Sequence, residues 1–285
     1  MSQMVAQEAA PGQVTQLCQA LHLSPATFYR YRKAGQPTDP DVEVRDRIQR
    51  LALEFPSYGY RRITAQLQRD GTAVNHKRVL RLMREDNLLC LRKRRFVVTT
   101  NSAHGLPVYP NLVPRLVVTS INQLWLSDIT YVRLLNEFIY LAVILDGCSR
   151  RCIGWALSRQ LNASLTIAAL QQALEQRTVA LGLVHHSDRG VQYASQRYTD
   201  LLKAHGIQIS MSRRGNPYDN AFAESFIKTL KYEEVHLNDD ETFADAYASI
   251  EQFLDDVYNH KRLHSALGYR PPVEFEQALS TPIPP

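Results

Sequence analysis

The sequence is poor in cysteine, and its cysteines do not occur in pairs. Only four are present among 285 residues, and none belongs to a CxxC pattern. They are Cys18, Cys90, Cys148 and Cys152. Because structural zinc sites use closely spaced cysteine or histidine pairs, this spacing excludes such a site and indicates reduced thiols in a cytosolic protein.

Long apolar runs and a secretion signal are also lacking. The longest apolar run extends from Phe138 to Leu145, whereas a membrane-spanning helix needs about 20 apolar residues. The first residues, MSQMVAQEAAPGQV, contain neither the basic region nor the apolar region of a signal peptide. We therefore expect no membrane contact and a cytoplasmic location.

Positive charge is concentrated in the first part of the chain. The formal net charge is +5, but residues 1–100 contain 17 Lys and Arg against 9 Asp and Glu, a net charge of +8. The remainder, residues 101–285, contains 16 against 19, a net charge of −3. A basic first part joined to a mildly acidic second part suggests a nucleic-acid-binding region attached to something else.

Residues 1–36 have the pattern of a helix-turn-helix. An apolar helical face is predicted over residues 13–21, and a second helix follows from Pro25 with Ser24 as its N-cap. This second helix carries basic residues that could meet DNA in the major groove: Arg30, Arg32 and Lys33. The alternative is a plain helical hairpin without DNA contact.

Residues 39–98 predict a second unit of three helices. The first ends at Pro56, the second spans 60–69 and is stopped by Gly71, and the third is capped by Asn75. The outward face of the third helix carries Lys77, Arg81 and Arg84. A basic run that could contact phosphates follows it: Arg92, Lys93, Arg94 and Arg95. A charged run is more often a solvated face, but its repetition beside two helical units favours DNA binding.

After a connector predicted over residues 99–119, the pattern changes to strands. Three strands are predicted at 124–134, 138–145 and 151–157, followed by alternating helices and strands up to residue 210 and two helices at about 219–235 and 242–262. This order predicts an α/β fold with a ribonuclease-H-like core of five mixed strands over residues 120–280, preceded by the all-α units.

Three carboxylates occupy positions suited to a metal site. Asp128 lies inside the first strand on an apolar face, Asp188 follows the fourth strand, and Glu224 lies in a helix that also carries Lys228 and Lys231 on one face. An unpaired carboxylate among apolar side chains is costly, and a divalent cation would remove that cost. Mg²⁺ prefers carboxylate oxygens, and two ions about 4 Å apart can assist phosphodiester chemistry. For any one of these residues alone, a cap or a surface charge is the commoner role.

At these residues the sequence resembles a known family. Asp188 and Glu224 are separated by 35 residues, as in the Asp-Asp-35-Glu core of retroviral integrases and many bacterial transposases. Four segments resemble the OrfB-type transposases of the third insertion-sequence family more closely: WLSDITYV, HHSDRGVQYAS, SMSRRGNPYDNAFAESFIKTLK and YNHKRLHSALGYRPP. The resemblance spans about residues 120–275, and residues 40–95 resemble the family's upstream helix-turn-helix.

The resemblance implies a function and a set of site residues. Asp128, Asp188 and Glu224 would form the catalytic and metal-binding triad with two Mg²⁺ or Mn²⁺ ions, and Lys231 and Lys228 would contact DNA. The activity implied is 3′-end cleavage and strand transfer of an insertion sequence by copy-out, paste-in transposition. The implied partners are double-stranded terminal inverted repeats, target DNA, further copies of the chain in a synaptic complex, and the upstream-frame protein of the same element. The location implied is the bacterial cytoplasm, at the nucleoid when the protein is bound to DNA.

Two other function classes remain open at this point. One is a non-catalytic DNA-binding regulator or a partner subunit of a frameshift-fused transposase. The other is a ribonuclease-H-like nuclease that hydrolyses DNA without joining it. A general nuclease, however, would have no use for two helix-turn-helix units that recognise DNA ends.

Several further residues have two interpretations each. Asp146 could approach the metal site but more simply opens the following turn, and His185 and His186 could bind a transition metal but more simply pack in a strand. Arg213 and Arg214 could meet phosphates or be merely exposed. Residues on the last long helix could contact DNA or another subunit: Tyr258, Asn259, Arg262 and His264.

Overall fold

The computed structural model describes Val14, Cys18 and residues 24–26, 41–89, 106–213, 217–235, 237–238 and 240–280. Residues 1–50 and residues 51–285 form two compact units. In the first unit, Val14 and Cys18 are helical and buried, and a helical residue follows Ser24. The basic residues predicted there and in the later basic run lie outside the described residues: Arg30, Arg32, Lys33, Arg92, Lys93, Arg94 and Arg95.

Three helices occupy the region of the second predicted unit. They are α1 (Val42–Glu54), α2 (Tyr60–Arg69) and α3 (His76–Glu85). Gly71 follows α2 with φ of 82°, a left-handed conformation that glycine adopts without strain. The Asn75 side chain accepts a hydrogen bond from the Lys77 N–H at 2.8 Å, which caps α3 as the sequence predicted. Since Ile63, Leu67, Val79 and Leu82 are fully buried, α2 and α3 pack through their apolar faces.

A five-stranded mixed sheet forms the core of the compact unit of residues 51–285. Its strands are β1 (Leu124–Arg133), β2 (Phe138–Asp146), β3 (Cys152–Ser158), β4 (Val184–Ser187) and β5 (Gln208–Met211). The order across the sheet is β3-β2-β1-β4-β5, with β1, β2 and β3 antiparallel and β4 and β5 parallel to β1. The predicted ribonuclease-H-like layout is confirmed, and β1 lies at its centre.

Helices cover both faces of this sheet. Helices α4 (Ala163–Gln176), α5 (Val191–Ala194) and α6 (Gln196–Ala204) lie on one face. The other face is covered by α7 (Ala221–Leu230), α8 (Phe243–Gln252) and the π-helical turns that continue them, Lys231–Val235 and Phe253–Lys261. Short 3₁₀ turns span Val113–Arg115, Pro217–Asn220 and Ser265–Leu267, and the last helix is α9 (Pro272–Ser280).

Strand periodicity assigns side chains to the two faces. Leu124 and Leu126 pack on the α7 side, while Trp125 between them packs on the α4 side. Strand β2 alternates in the same way, with Leu141 and Val143 on the α7 side and Ala142 on the other. Burial on both faces explains why β2 is a continuous apolar run in the sequence.

The described part of the predicted connector lies on the core. Leu112, Val113, Leu116 and Val118 pack against the apolar cluster on the α7 side. The Leu112 N–H also donates to the Ser210 hydroxyl at 2.9 Å. Residues 112–118 therefore follow the surface of the sheet domain in an irregular conformation. Among the described residues, no helix is long and apolar enough to cross a membrane.

Close packing between β3 and α4 yields a stability prediction. A Cβ atom at Gly154 would lie 2.3 Å from the Ala169 carbonyl oxygen and 2.9 Å from the Ala173 Cβ. Because both contacts are with the α4 backbone or its short side chains, relief requires the helix to move. We expect Gly154→Ala to lower the free energy of unfolding by about 1–3 kcal/mol, measured by chemical denaturation. The control is Gly59→Ala, where no atom lies within 4 Å of the added methyl. Equal stability of the two variants would contradict this packing.

Candidate active site

Two of the predicted carboxylates are brought together by strand pairing. Strand β1 pairs with β4 in parallel, with Leu124 opposite Val184 and Leu126 opposite His186. Asp128 and Asp188 each follow the last paired residues by two positions, and the charge of Asp188 acts on Asp128. Since neighbouring positions in parallel strands direct their side chains to the same face, the two carboxyl groups lie on one side of the sheet.

The turn after β4 orients Asp188. Its Oδ1 accepts a hydrogen bond from the Gly190 N–H at 2.8 Å, and a Cβ atom at residue 190 would lie 3.0 Å from that oxygen. Arg189 donates from Nε to the Ser212 carbonyl oxygen at 2.7 Å, which ties the turn to the end of β5. The Asp-Arg-Gly sequence therefore gives an anchored carboxylate, with the small glycine leaving room for it.

The third carboxylate comes from the first turn of α7. The Asn220 side chain, just before the helix, donates to the Ser127 carbonyl oxygen at 3.1 Å, which attaches the helix start to β1 beside Asp128. Ala223, Phe226 and Leu230 are buried against the sheet. Glu224 is exposed on the remaining face. The helix begins at Ala221, so Glu224 lies in its first turn.

The electrostatics of Asp128 show that the three carboxylates influence one another. Burial, followed by the charge of Asp188, raises the pKa of Asp128 to about 8. Glu224 raises it further, while a hydrogen bond from the Ile129 N–H at 2.8 Å and the charge of Lys231 lower it. Burial also raises the pKa of Glu224. A group of acidic residues whose pKa values are raised in this way favours a cation or a proton among them.

Lys231 lies near enough to Asp128 for their charges to interact. It follows α7 in the π-helical turn, and its Nζ lies 4.1 Å from the centre of the Tyr131 ring. Burial lowers the pKa of Lys231, and the nearby charge of Asp128 opposes that shift. The charges of Lys231 and Asp128 therefore favour each other.

Within the described part of the chain, no three His, Cys, Asp or Glu side chains are already clustered as ligands of one ion. The donor set nevertheless fits a hard divalent cation. Carboxylate oxygens are the ligands that such cations prefer, and the raised pKa of Asp128 shows that its charge is poorly compensated by the protein alone.

A buried polar network lies behind the two aspartates, and sequence reasoning missed it. His185 Nε2 is 2.8 Å from the Ser127 hydroxyl and 2.9 Å from the Tyr198 hydroxyl, which links β1, β4 and α6. His186 is 2.8 Å from Ser210 and 3.0 Å from Ser212 through its two ring nitrogens. The position of Ser127 next to Asp128, in a strand paired with β4, was the available signal.

Both histidines are fully buried, and burial lowers their pKa values, to about 3 for His185 and about 4 for His186. They are therefore neutral at ordinary pH. Their hydrogen bonds support strand packing over the transition-metal interpretation. Asp146 likewise stabilises the turn after β2. Its carboxylate accepts hydrogen bonds from the N–H groups of Asn122, Cys148 and Ser149 at 2.7–2.9 Å.

The predicted DNA contacts fall into three groups. Lys77, Arg81, Arg84 and Lys228 are exposed on helix surfaces. Arg213 is also exposed, at 63% of its side chain, but it forms an ion pair with Asp219 at 3.0 Å that holds the pKa of this carboxyl at about 2. Arg214 lies outside the described residues.

The expected DNA contact of Arg262 needs correction. Arg262 is 4% exposed, and its guanidinium donates to both carboxylate oxygens of Glu233 at 2.7 Å. Tyr258 and Asn259 on the same segment are buried and bonded to the backbone at Arg150 and Cys152. These three side chains therefore stabilise the domain interior and do not face DNA.

The raised pKa of Asp128 predicts a pH dependence of stability in the absence of metal. The folded protein holds a proton on this carboxyl up to about pH 8, whereas the unfolded chain loses it near pH 4. Stability therefore decreases as the pH rises from about 4 to 8. Asp128→Asn removes this loss of stability. In EDTA at pH 8 we therefore expect its thermal unfolding midpoint to exceed that of wild type by about 2–4 °C for each kcal/mol of unfolding free energy regained, with little gain at pH 5.

The control for this measurement is Asp200→Asn, at an exposed position on α6. It should change the midpoint little at either pH. A gain for Asp128→Asn that is the same at pH 5 and pH 8 would contradict the assigned pKa.

Comparison with protein families gives matches in both the helical region and the sheet region. Residues 119–217 match an integrase core domain, residues 205–272 match a second integrase core domain profile, and residues 40–96 match an HTH-like domain. Among solved structures, the catalytic core domain of BIV integrase gives a TM-score of 0.42 at 22% identity, over 56% of this chain and 96% of that chain.

Curated relatives cover most of the chain. The insertion element IS600 uncharacterized 31 kDa protein of Shigella sonnei is 36% identical over 92% of this chain and 97% of its own length. The transposase for insertion sequence element IS904 of Lactococcus lactis is 39% identical over 77% and 87%, respectively. Transposase InsF for insertion sequence IS3A of Escherichia coli is 38% identical over 77% and 76%. The chain therefore belongs to the IS3 family of DNA transposases, with an integrase catalytic core and an HTH-like DNA-binding domain.

Proposed function

We propose that Asp128, Asp188 and Glu224 are the catalytic and metal-binding residues of this transposase. The observation that supports the proposal is the influence of Asp188 and Glu224 on the pKa of Asp128, together with the parallel pairing of β1 and β4 just before the two aspartates. Three oxygen donors from a strand centre, a strand end and a helix suit two Mg²⁺ or Mn²⁺ ions. When bound, such ions activate the attacking oxygen and stabilise the leaving oxygen in phosphoryl transfer.

The reaction proposed has two phosphoryl transfers. In the first, a water oxygen bonds to phosphorus at the element's end, and the bond to the 3′ oxygen breaks to release a 3′-OH. In the second, that 3′-OH loses its proton and its oxygen bonds to phosphorus in another strand, from which a second 3′ oxygen leaves. Asp128, Asp188 and Glu224 hold the reacting centre, and no covalent bond to the protein is required.

The DNA contacts proposed follow the exposed cations. Lys228 on α7 and Lys231 in the following turn flank the carboxylates and would contact the phosphates of the reacting strand. Arg213 would contribute if it shared its ion pair with Asp219, together with the next residue in the sequence, Arg214. On α3, Lys77, Arg81 and Arg84 would meet the terminal inverted repeat. They would be assisted by the basic residues predicted in the two flanking regions, which are Arg30, Arg32, Lys33, Arg92, Lys93, Arg94 and Arg95.

The assembly proposed is a homo-oligomer, because two element ends must be held together for joining. Copy-out, paste-in transposition would begin with one end attacking near the other end of the same element. The upstream-frame protein of the element is a candidate partner for this step. The division of the chain proposed is two DNA-binding units, 1–36 and 39–98, and a catalytic core, 120–280.

Loss of one carboxylate tests the catalytic assignment. We expect Asp188→Asn to bind a terminal-repeat duplex as well as wild type does, because the DNA-binding helices are untouched. Joining of a precleaved 3′ end in Mg²⁺ should decrease at least about a hundredfold, since weaker changes around metal ligands already cost about 10–100-fold. The measurements are gel-shift titration and gel analysis of joined products.

Asp200→Asn is the matched control and should join at the wild-type rate. Joining by Asp188→Asn at that rate would refute the triad. If the wild-type protein only nicked the end and gave no joined product, the hydrolytic nuclease would be the better description, and if it did neither, the non-catalytic regulator would be.

Removal of basic side chains from α3 tests the DNA interface. We expect the double variant Lys77→Ala, Arg84→Ala to weaken end binding, and to reduce the slope of log affinity against log salt by about 2, because each lost phosphate contact reduces it by about 1. The control removes two exposed arginines elsewhere, Arg159 and Arg197. An unchanged slope in the α3 variant would remove this helix from the interface.

A further inference from the structure

One segment of the chain, residues 258–264, connects the sheet, the catalytic helix and α2. We refer to it as the junction segment. It comprises the end of the second π-helical turn and the extended residues that follow. Asn259 anchors it to the sheet, because its side chain accepts the Cys152 N–H and donates to the Cys152 carbonyl oxygen, both at 3.0 Å. The segment is therefore fixed to β3 at one point.

The junction segment also holds the far end of α7. Arg262 binds Glu233 in the π-helical turn through Nε and Nη2, both at 2.7 Å, and both side chains are nearly buried at 5% and 11% exposure. Tyr258 packs edge-on against Phe226 of α7, with ring centres 4.7 Å apart. Glu233 lies two residues after Lys231 in the same turn. The placement of Lys231, and of the helix that carries Glu224, thus depends on these two contacts.

On its other side the junction segment is bound by residues at the start of α2. The Leu263 N–H donates to the Tyr58 hydroxyl at 2.7 Å, and the Leu263 carbonyl oxygen accepts from Arg62 Nε at 3.1 Å. Both backbone groups of this residue are therefore occupied by α2-side partners. Tyr58 and Leu263 are 2% and 1% exposed, so these bonds are shielded from water.

The distal end of α2 has a second attachment to the C-terminal region. Arg69 donates from Nη1 to Glu274 on α9 at 3.1 Å and to the Tyr269 carbonyl oxygen at 3.3 Å. Two attachment points, one at each end, fix both the direction of α2 and its distance from the C-terminal region. A helix held at both ends cannot pivot without breaking one of them.

We propose that Arg262 is a positioning residue that couples the α2–α3 helices to the catalytic helix α7 through the junction segment. The proposal rests on the proposed function, since it assumes that α3 binds the element's end and that Glu224 acts in catalysis. DNA bound by α3 would hold α2 in place. Tyr58 and Arg62 would then hold Leu263, and Arg262 would hold Glu233 and the turn of Lys231. Occupation of the DNA-binding helices thereby orders the active-site helix.

The chemistry of the contacts supports a positioning role. A bidentate Arg–carboxylate pair specifies both distance and angle. A buried pair of this kind adds little net stability compared with apolar side chains of similar volume, so its value lies in defining one arrangement. Coupling between two sites requires a contiguous set of contacts, and every link from Tyr58 to Glu233 is a direct hydrogen bond, an ion pair or a peptide bond.

The first experiment replaces the ion pair without leaving a buried charge. The full-length double variant Arg262→Met, Glu233→Leu keeps the volume and is expected to unfold within a few degrees of wild type. Hydrogen exchange is measured with and without a terminal-repeat duplex. In wild type we expect the duplex to slow exchange in both 76–85 and 224–235, and in the variant only in 76–85.

Slowed exchange of 224–235 in the variant, equal to that in wild type, would overturn the proposal. The matched control is Glu137→Gln, which removes the partner of the exposed Arg159 and should behave as wild type. Should the double variant fail to fold, Tyr58→Phe provides the same test from the other end. It removes the acceptor of the Leu263 N–H while the ring remains stacked on Phe55, 4.5 Å away.

A double-mutant cycle in strand transfer separates coupling from general destabilisation. Tyr58→Phe and Glu233→Gln are measured singly and together in single-turnover joining of precleaved end DNA. Residues in one network interact, so we expect the combined loss to differ from the product of the single losses by threefold or more. Losses that multiply within experimental error would overturn the proposal.

Failure of the proposed function would give a different result. If Asp188→Asn joined normally, the triad would be wrong, whatever the exchange of 224–235 showed. If Asp188→Asn were inactive while duplex binding slowed exchange of 224–235 equally in the ion-pair variant and in wild type, only the coupling role of Arg262 would be excluded.

Discussion

The parallel pairing of β1 with β4 brings two carboxylates within electrostatic reach of each other, and the rest of the core makes that arrangement tolerable. Like charges at this distance oppose each other, as the raised pKa of Asp128 records. Apolar clusters on both faces of the sheet and the Ser127–His185–Tyr198 hydrogen bonds keep the strands in register against this repulsion. A divalent cation bound by these carboxylates, as proposed above, would offset this electrostatic cost.

Arginine has two distinct uses in this chain. In the described core, several guanidinium groups are internal connectors: Arg262 binds Glu233, and Arg151 and Arg177 both bind the nearly buried Glu276 of α9. On α3, by contrast, the cationic groups stand on an exposed helix face. Sequence composition counts all of them alike as positive charge. Only burial separates a residue that shapes the domain from one that can meet a phosphate, as Arg262 illustrates.

Sequence periodicity was a good guide where burial is one-sided or complete. The second helix predicted within residues 39–98 coincides with α2 (Tyr60–Arg69). Strand β2 begins where predicted and extends one residue further, to Asp146. The helices predicted at about 219–235 and 242–262 are also present, but sequence periodicity did not predict the π-helical form of their second parts, because tertiary contacts set that conformation. The π-helical turns after α7 and α8, the short helix α5 and the packing of residues 112–118 on the sheet have no repeating pattern of their own.

The sequence by itself determined the fold class and the α/β order of elements, because the apolar period and the turn residues are local features. The spacing from Asp188 to Glu224 is a linear feature as well, and it predicted the proposed site. Tertiary structure alone decided which polar side chains work together. The hydrogen bonds from Tyr58 to Leu263, from Asn220 to Ser127 and from Arg262 to Glu233 join residues distant in the chain. Such contacts depend on chain packing in three dimensions, and linear spacing carries no record of them.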